Sequence, residues 1–348
     1  MKAAVIKSPG VIVVENVPTP EPGPGEVLLK IEACAICGTD QRVLAGTKPV
    51  DVPIVGHEIT GRVEKVGAGV QDINKNDRYI VQTVIGCNAC PACARNQQNL
   101  CLKGFRAMGY QFNGGFAEYM IMPKVAVDQG CLIGIPEALS AEAGTLIEPL
   151  SCCVNGMQYI PMESLDHVII FGGGIIGTLN GLVAKARGAK CVTVMDVSQE
   201  RLDLLKSLEL PFDHYVNSKQ ADPVQWVKAH TGGRGVDAVV VAASVKPLVA
   251  LGLKLLAKGG HLSIFAGMPK PDSVDAIDLN VIHYNEINLH GANSSAIASY
   301  LAARDMIVGG KIDPRRLVTH RFKLDDFSKA VATQADPASG ALKVVIVP

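Results

Sequence analysis

The sequence predicts an α/β protein in which a doubly wound, parallel-sheet domain is inserted into a β-rich domain. Three observations carry this reading. Residues 1–130 are short β-rich runs separated by Gly and Pro, with little helical periodicity. From about residue 150, apolar strand-like runs alternate with helical patterns, as they do in a parallel sheet with crossover helices. From about residue 292 the character is mixed again, and the chain ends in an apolar run at 342–347. The expected domains are therefore residues 1–151 with 292–348, and residues 152–291.

The elements follow in order. The first residues, Met1 to Lys7, read as a strand, because their apolar part is too short for a signal peptide. Residues 11–14, 26–31 and 61–66 are further strands, and the turn-rich 19–25 is a loop. His167–Phe171 is a buried-strand run. After it, Ile175, Leu179, Leu182, Val183 and Ala186 share one helical face, and Gly188 stops that helix. Cys191–Asp196 is the next strand and 201–208 the next helix; 237–242 and 261–265 are two more strands.

Composition excludes several classes. Lys plus Arg is 33 and Asp plus Glu is 33, so the chain has no cationic surplus for nucleic acid or an anionic membrane. With 48% hydrophobic and 19% charged residues it is not a disordered chain. No apolar run reaches the ~18 residues of a membrane span, so the cytoplasm is the expected location. In that compartment ten cysteines point to metal or catalysis rather than disulfides. Six of them fall between Cys34 and Cys101.

Three constellations carry chemistry. Gly172, Gly174 and Gly177 form a G-x-G-x-x-G between a strand and an amphipathic helix, and Asp196 closes the following strand. Glycines there permit a tight turn and let a pyrophosphate approach the helix N-terminus; the acid accepts hydrogen bonds from a ribose diol. Asp196 repels a 2′-phosphate, which favours NAD over NADP, with Arg201 as a possible counterweight near the adenosine end. Second, Cys87, Cys90, Cys93 and Cys101 match a closed tetrahedral zinc site, an iron–sulfur cluster being the chemical alternative. Third, the dispersed set of Cys37, His57, Glu58 and Glu148 has the ligand types of a zinc ion with an open position. Cys34 and Cys37 also form a C-x-x-C, but without the thioredoxin-like context of a redox pair.

At these residues the chain resembles the zinc-dependent medium-chain dehydrogenases, a group that includes alcohol, sorbitol and threonine dehydrogenases. The likeness runs through Cys37-Gly-Thr-Asp40, residues 56–67, the four-cysteine stretch, residues 114–119, Glu148-Pro149, the glycine loop and residues 318–322. It implies a GroES-like catalytic domain, with a structural zinc lobe at about 86–102, around a Rossmann NAD-binding domain.

The resemblance also implies two zinc ions per chain. Cys37 and His57 would hold the catalytic one, with Glu58 or Glu148 completing the shell; which carboxylate binds directly is left open. The four clustered cysteines would hold the structural one. Asp40 would orient the zinc-bound imidazole, Lys343 would pair with Glu58, and Thr39 would relay the alcohol's proton. Cofactor contacts are expected from Gly172, Gly174, Ile176, Gly177, Asp196, Arg201, Phe265, Ala266, Gly267, Asn293, Ser294 and Ser295.

Two departures matter. Gln41-Arg42 stands where many relatives carry a relay His, and Asn293-Ser294-Ser295 stands near where sorbitol dehydrogenases place an Arg-Tyr pair. The expected activity is oxidation of a secondary alcohol, such as a polyol, sugar alcohol or its phosphate, with NAD. A threonine-type 3-hydroxy amino acid or a general alcohol is the alternative substrate. The expected partner is a small-molecule alcohol, and the expected assembly a homotetramer or homodimer.

Overall fold

The computed structural model describes residues 1–268 and 273–348. It divides into two compact units, Met1–Ser151 with Ser294–Pro348, and Cys152–Asn293.

The first unit is built on a seven-stranded sheet. Its path runs Val318–Lys323, Lys343–Val347, Val27–Ala35, Glu58–Val66, Arg78–Val81 and Leu132–Gly134, and Tyr119–Met122 also pairs with Val27–Ala35. The C-terminal strand thus lies inside the sheet, beside a strand from the start of the chain. Strands Val27–Ala35 and Glu58–Val66 are largely buried, and Leu29, Ile31, Ile59 and Val63 join the core with Phe116, Met120 and Phe327. Phe116 and Phe327 meet edge to face, with centroids 4.8 Å apart, a favoured aromatic geometry. Helices that the sequence reading did not locate also belong here. Gly38–Leu44 begins at Cys37, whose sulfur caps it, and Ile297–Val308 has almost no one-sided apolar pattern to betray it.

The second unit is a six-stranded, wholly parallel sheet. Its order is His214–Asn217, Cys191–Asp196, His167–Phe171, Val236–Val241, Leu256–Ile264 and Asn288–Gly291. Central strands buried on both faces are largely apolar: Val168–Phe171 and Ala238–Val241 are wholly buried runs. Parallel pairing puts every carboxyl end at one edge, where open α/β sheets bind ligands. Among the described residues no helix is long and apolar enough to cross a membrane.

Candidate active site and metal centres

Strand register assembles the first cluster. Ala35 pairs with Glu58 on one side and with Val345 on the other. Cys37, two residues beyond Ala35, and Lys343, two residues before Val345, are therefore brought to the same end of the sheet as Glu58. Gly56 lets the chain turn into this position. It has φ +97°, and a Cβ there would lie 2.9 Å from both Cys34 Sγ and the Phe116 ring.

One ligand atom each of Cys37, His57 and Glu58 lie within 4.8 Å of one another. A thiolate, an imidazole and a carboxylate that converge this closely fit a single zinc ion. The surroundings fit as well. Asp40 accepts a hydrogen bond from the Cys37 backbone N–H at 2.9 Å, and its other oxygen lies 3.3 Å from His57 Nδ1. A carboxylate on one ring nitrogen leaves the other free to face a metal and fixes the ring's orientation. The Thr39 N–H donates to Cys37 Sγ at 3.4 Å, which fixes the sulfur at the start of the helix.

Charge is closely managed in this pocket. Glu58 and Lys343 are both 1% exposed, and Nζ lies 2.7 and 2.5 Å from the two carboxylate oxygens. Lys343 also donates to the Ile36 carbonyl at 3.1 Å. Burial disfavours its ammonium, but Glu58 and Cys37 outweigh that and hold its pKa above the ordinary value. Glu148 is buried too, at the start of helix Ile147–Gly156. Burial pushes its carboxyl up to about 7, with His57 pulling it down and Glu58 pushing it further up. It does not belong to the tight three-ligand cluster. Glu58 is thus the carboxylate that converges with Cys37 and His57, and it is also the one Lys343 neutralises.

Three residues around His57 carried no sequence signal. Thr83 donates through Oγ1 to the His57 carbonyl at 3.0 Å; its N–H donates to Tyr300 Oη at 3.1 Å, and Tyr300 donates back to Thr83 Oγ1 at 3.3 Å. Tyr300 is wholly buried and comes from the C-terminal part of the chain. Tyr110 sets its ring 5.4 Å from the His57 ring. No spacing rule links these positions, because only the tertiary fold makes them neighbours.

The four-cysteine stretch closes into a second cluster. All four sulfurs lie within 4.8 Å of one another, with Cys87 to Cys93 and Cys90 to Cys101 each 4.0 Å apart. A tetrahedral ion with metal–sulfur bonds of about 2.3 Å sets its sulfurs about 3.8 Å apart. A cage this small encloses one ion, not a cluster with bridging sulfides. Backbone N–H groups of Cys93 and Leu102 hold the Cys90 thiol down, to about 6.

In the second unit, strand His167–Phe171 runs through the glycine loop into helix Ile175–Ala186. A Cβ on Gly177 would lie 1.8 Å from the Gly172 carbonyl oxygen, so only glycine lets the helix start so close to the strand. Gly174 is the N-cap and offers no side chain to the first helical amides, which leaves them to an anion. Asp196 ends the neighbouring strand, accepting from the Gly173 N–H at 2.6 Å and the Ser198 N–H at 2.9 Å. The Arg201 stem lies over Gly173 beside Asp196.

Ile176 sits half-buried in the first turn of the helix. Phe265, Ala266 and Gly267 follow the carboxyl end of Leu256–Ile264, and Phe265 and Ala266 both donate to the Val241 carbonyl, at 3.2 and 3.0 Å. They therefore share the sheet edge with the glycine loop. Asn293 closes this unit, whereas Ser294 and Ser295 belong to the first. Ser295 is fully buried, with its hydroxyl 2.7 Å from that of Ser151.

Comparison with known proteins agrees with this architecture. Residues 23–130 match the family model for the alcohol dehydrogenase GroES-like domain, and residues 176–308 that for zinc-binding dehydrogenase. The chain is 32% identical to L-threonine 3-dehydrogenase of Thermococcus kodakarensis over 340 residues, covering 96% of this chain and 93% of that protein. It is 30% identical to sorbitol dehydrogenase of Bacillus subtilis over 355 residues, covering 100% and 97%. The crystal structure of a zinc-binding dehydrogenase from Sinorhizobium meliloti 1021 bound to NADP superimposes with a TM-score of 0.89 at 32% identity, over 100% of this chain and 99% of that one. Two domain models in order, and full-length relatives above 30% identity, place the chain in the zinc-dependent medium-chain alcohol dehydrogenase family of oxidoreductases.

Proposed function

We propose that this dehydrogenase oxidises a secondary alcohol of the polyol class (a polyol, a sugar alcohol or its phosphate) to the ketone, with hydride transfer to NAD. The observation that carries this is the convergence of Cys37, His57 and Glu58 within 4.8 Å, with Asp40 behind the imidazole. A zinc ion bound there supplies Lewis acidity that lowers the pKa of an alcohol. Cys37, His57 and Glu58 are the proposed ligands; Glu148, buried and poised near neutrality, is the proposed reserve carboxylate of the same pocket. Cys87, Cys90, Cys93 and Cys101 hold a second, structural zinc.

The chain's own groups have distinct tasks. Thr39 offers a hydroxyl to the departing proton of the alcohol. Arg42 Nη2 donates to Thr39 Oγ1 at 3.0 Å and, being always charged, accepts nothing itself. The proton therefore leaves Thr39 for water. Gly172, Gly174, Ile176 and Gly177 cradle the pyrophosphate, Asp196 and Arg201 flank the adenosine ribose, and Phe265 to Gly267 and Asn293 line the sheet edge beside it. Asp196 favours NAD. A small-molecule alcohol is the partner, in a cytoplasmic homodimer or homotetramer.

The test is turnover of a substrate panel by Cys37→Ser. NAD affinity should stay within about threefold while turnover falls by a factor of about 10³ or more. Full activity in that variant refutes the metal assignment. A 3-hydroxy amino acid is the second reading, favoured by the likeness to threonine dehydrogenases; faster turnover of threonine than of any polyol would establish it.

A further inference from the structure

Two cations, Arg42 and Lys48, lie near Thr39 with no ion pair of their own among the described residues. Arg42 lies one turn beyond Thr39 on helix Gly38–Leu44, and its guanidinium takes only the neutral Thr39 hydroxyl. The turn after the helix folds back on it, because the Thr47 and Lys48 N–H groups both donate to the Arg42 carbonyl, at 2.9 and 3.2 Å. Lys48 is thereby returned to Arg42's side, where its Nζ sits 4.5 Å above the centre of the Tyr110 ring. That ring is the one beside His57. Of the nearby acids, Asp40 accepts from the Cys37 amide and lies beside His57, and Asp51 accepts from Gln111.

Among the described residues neither Arg42 nor Lys48 forms a salt bridge. Burial, then Arg42, pulls the Lys48 pKa down, while Cys37 and Asp40 push it back up. Exposed, with one cation on the proton-relay hydroxyl and one over the ring next to a metal ligand, the two offer an anion a pair of charged donors.

We propose that Arg42 and Lys48 form an anion-binding pair beside Thr39 that takes the phosphate group of the substrate, so that the alcohol oxidised here is a phosphomonoester of a polyol. Two cations suit a dianion better than a single carboxylate, and the forked guanidinium suits tetrahedral oxygens. The inference rests on the alcohol-dehydrogenase reading and narrows its substrate.

The experiment compares kcat/KM of the zinc- and NAD-loaded enzyme for hexitols and for their monophosphates. Wild type should prefer the phosphates. Arg42→Gln/Lys48→Gln, at two exposed positions, should lower the phosphate-to-neutral ratio by about 100-fold, mostly through KM. Inorganic phosphate should compete with the hexitol phosphate in wild type and lose that effect in the variant.

Three results with the variant or with inorganic phosphate overturn the proposal. One is an unchanged ratio in the variant. Another is a ratio that falls for a 3-hydroxy amino acid and not for a phosphate. The third is inorganic phosphate competing with NAD, with NAD affinity lost in the variant, because the anion site then belongs to the cofactor. Wild type that oxidises neutral hexitols as well as their phosphates refutes this inference alone. Wild type that oxidises no alcohol refutes the functional reading as well.

Discussion

Replacing Lys343 by Met tests the electrostatics of the metal pocket. The substitution keeps the apolar stem and removes the ammonium. Glu58 then remains as a buried carboxylate, 1% exposed, without its partner at 2.5–2.7 Å, and the Ile36 carbonyl loses its donor. Breaking a buried pair from one side costs about 3–5 kcal/mol. For a unit of about two hundred residues, ~2–4 °C per kcal/mol gives a fall of about 6–20 °C in apparent Tm. Calorimetry on metal-loaded and chelator-treated protein should find the larger fall in the stripped sample, because a bound cation supplies the positive charge that Lys343 no longer provides. The double variant Lys343→Met/Glu58→Gln removes both charges and should recover at least half of the loss. A single-variant fall below about 2 °C, or a double variant that merely adds a second loss, refutes the reasoning.

Four further outcomes are expected. Tyr300→Phe leaves the buried Thr83 N–H without its acceptor, costs about 1–3 kcal/mol and speeds release of metal from the Cys37 cluster, as read by a colorimetric zinc chelator. Gly177→Ala drives a methyl into the Gly172 carbonyl oxygen and abolishes NAD binding in a fluorescence titration. Asp196→Ala relaxes discrimination against NADP by about tenfold or more, seen in the ratio of kcat/KM values for the two cofactors. The last concerns acid. Burial, then His214, pushes the His167 imidazole down to about 4, and it pairs with Thr193 Oγ1 at 2.7 Å. The unfolded chain takes this proton near its ordinary ~6.5 while the native state waits until about 4. The unfolded state binds more protons in that window, so stability falls as pH drops from ~6.5 to about 4. His167→Gln should flatten that limb in urea melts taken at stepped pH.

Much of the chemistry was legible because it is local or periodic. The glycine loop, its flanking strand and helix, and Asp196 obey short-range geometry: a strand that turns directly into a helix needs Gly177 wherever it occurs. The four cysteines likewise close within fifteen residues, a loop short enough that spacing alone implies a cage. The helix Ile297–Val308 left no such trace, since apolar residues also occupy its exposed side, Leu301 and Val308 among them, while Ser299 is buried.

What the sequence determined by itself was the kind of protein: a parallel nucleotide-binding sheet within a β-rich domain, with donor residues for two metal sites. Tertiary structure alone decided which donors meet. Residue types at positions 37, 57, 58 and 148 left two carboxylates in contention, and strand register, pairing Ala35 with Glu58 and Val345, brought Glu58 together with Cys37 and Lys343. Tyr300 beneath His57 and Lys48 beside Arg42 were likewise decided only in three dimensions. The reason is physical: periodicity and spacing encode contacts along one element, whereas a site built from several strand ends depends on pairings hundreds of residues apart.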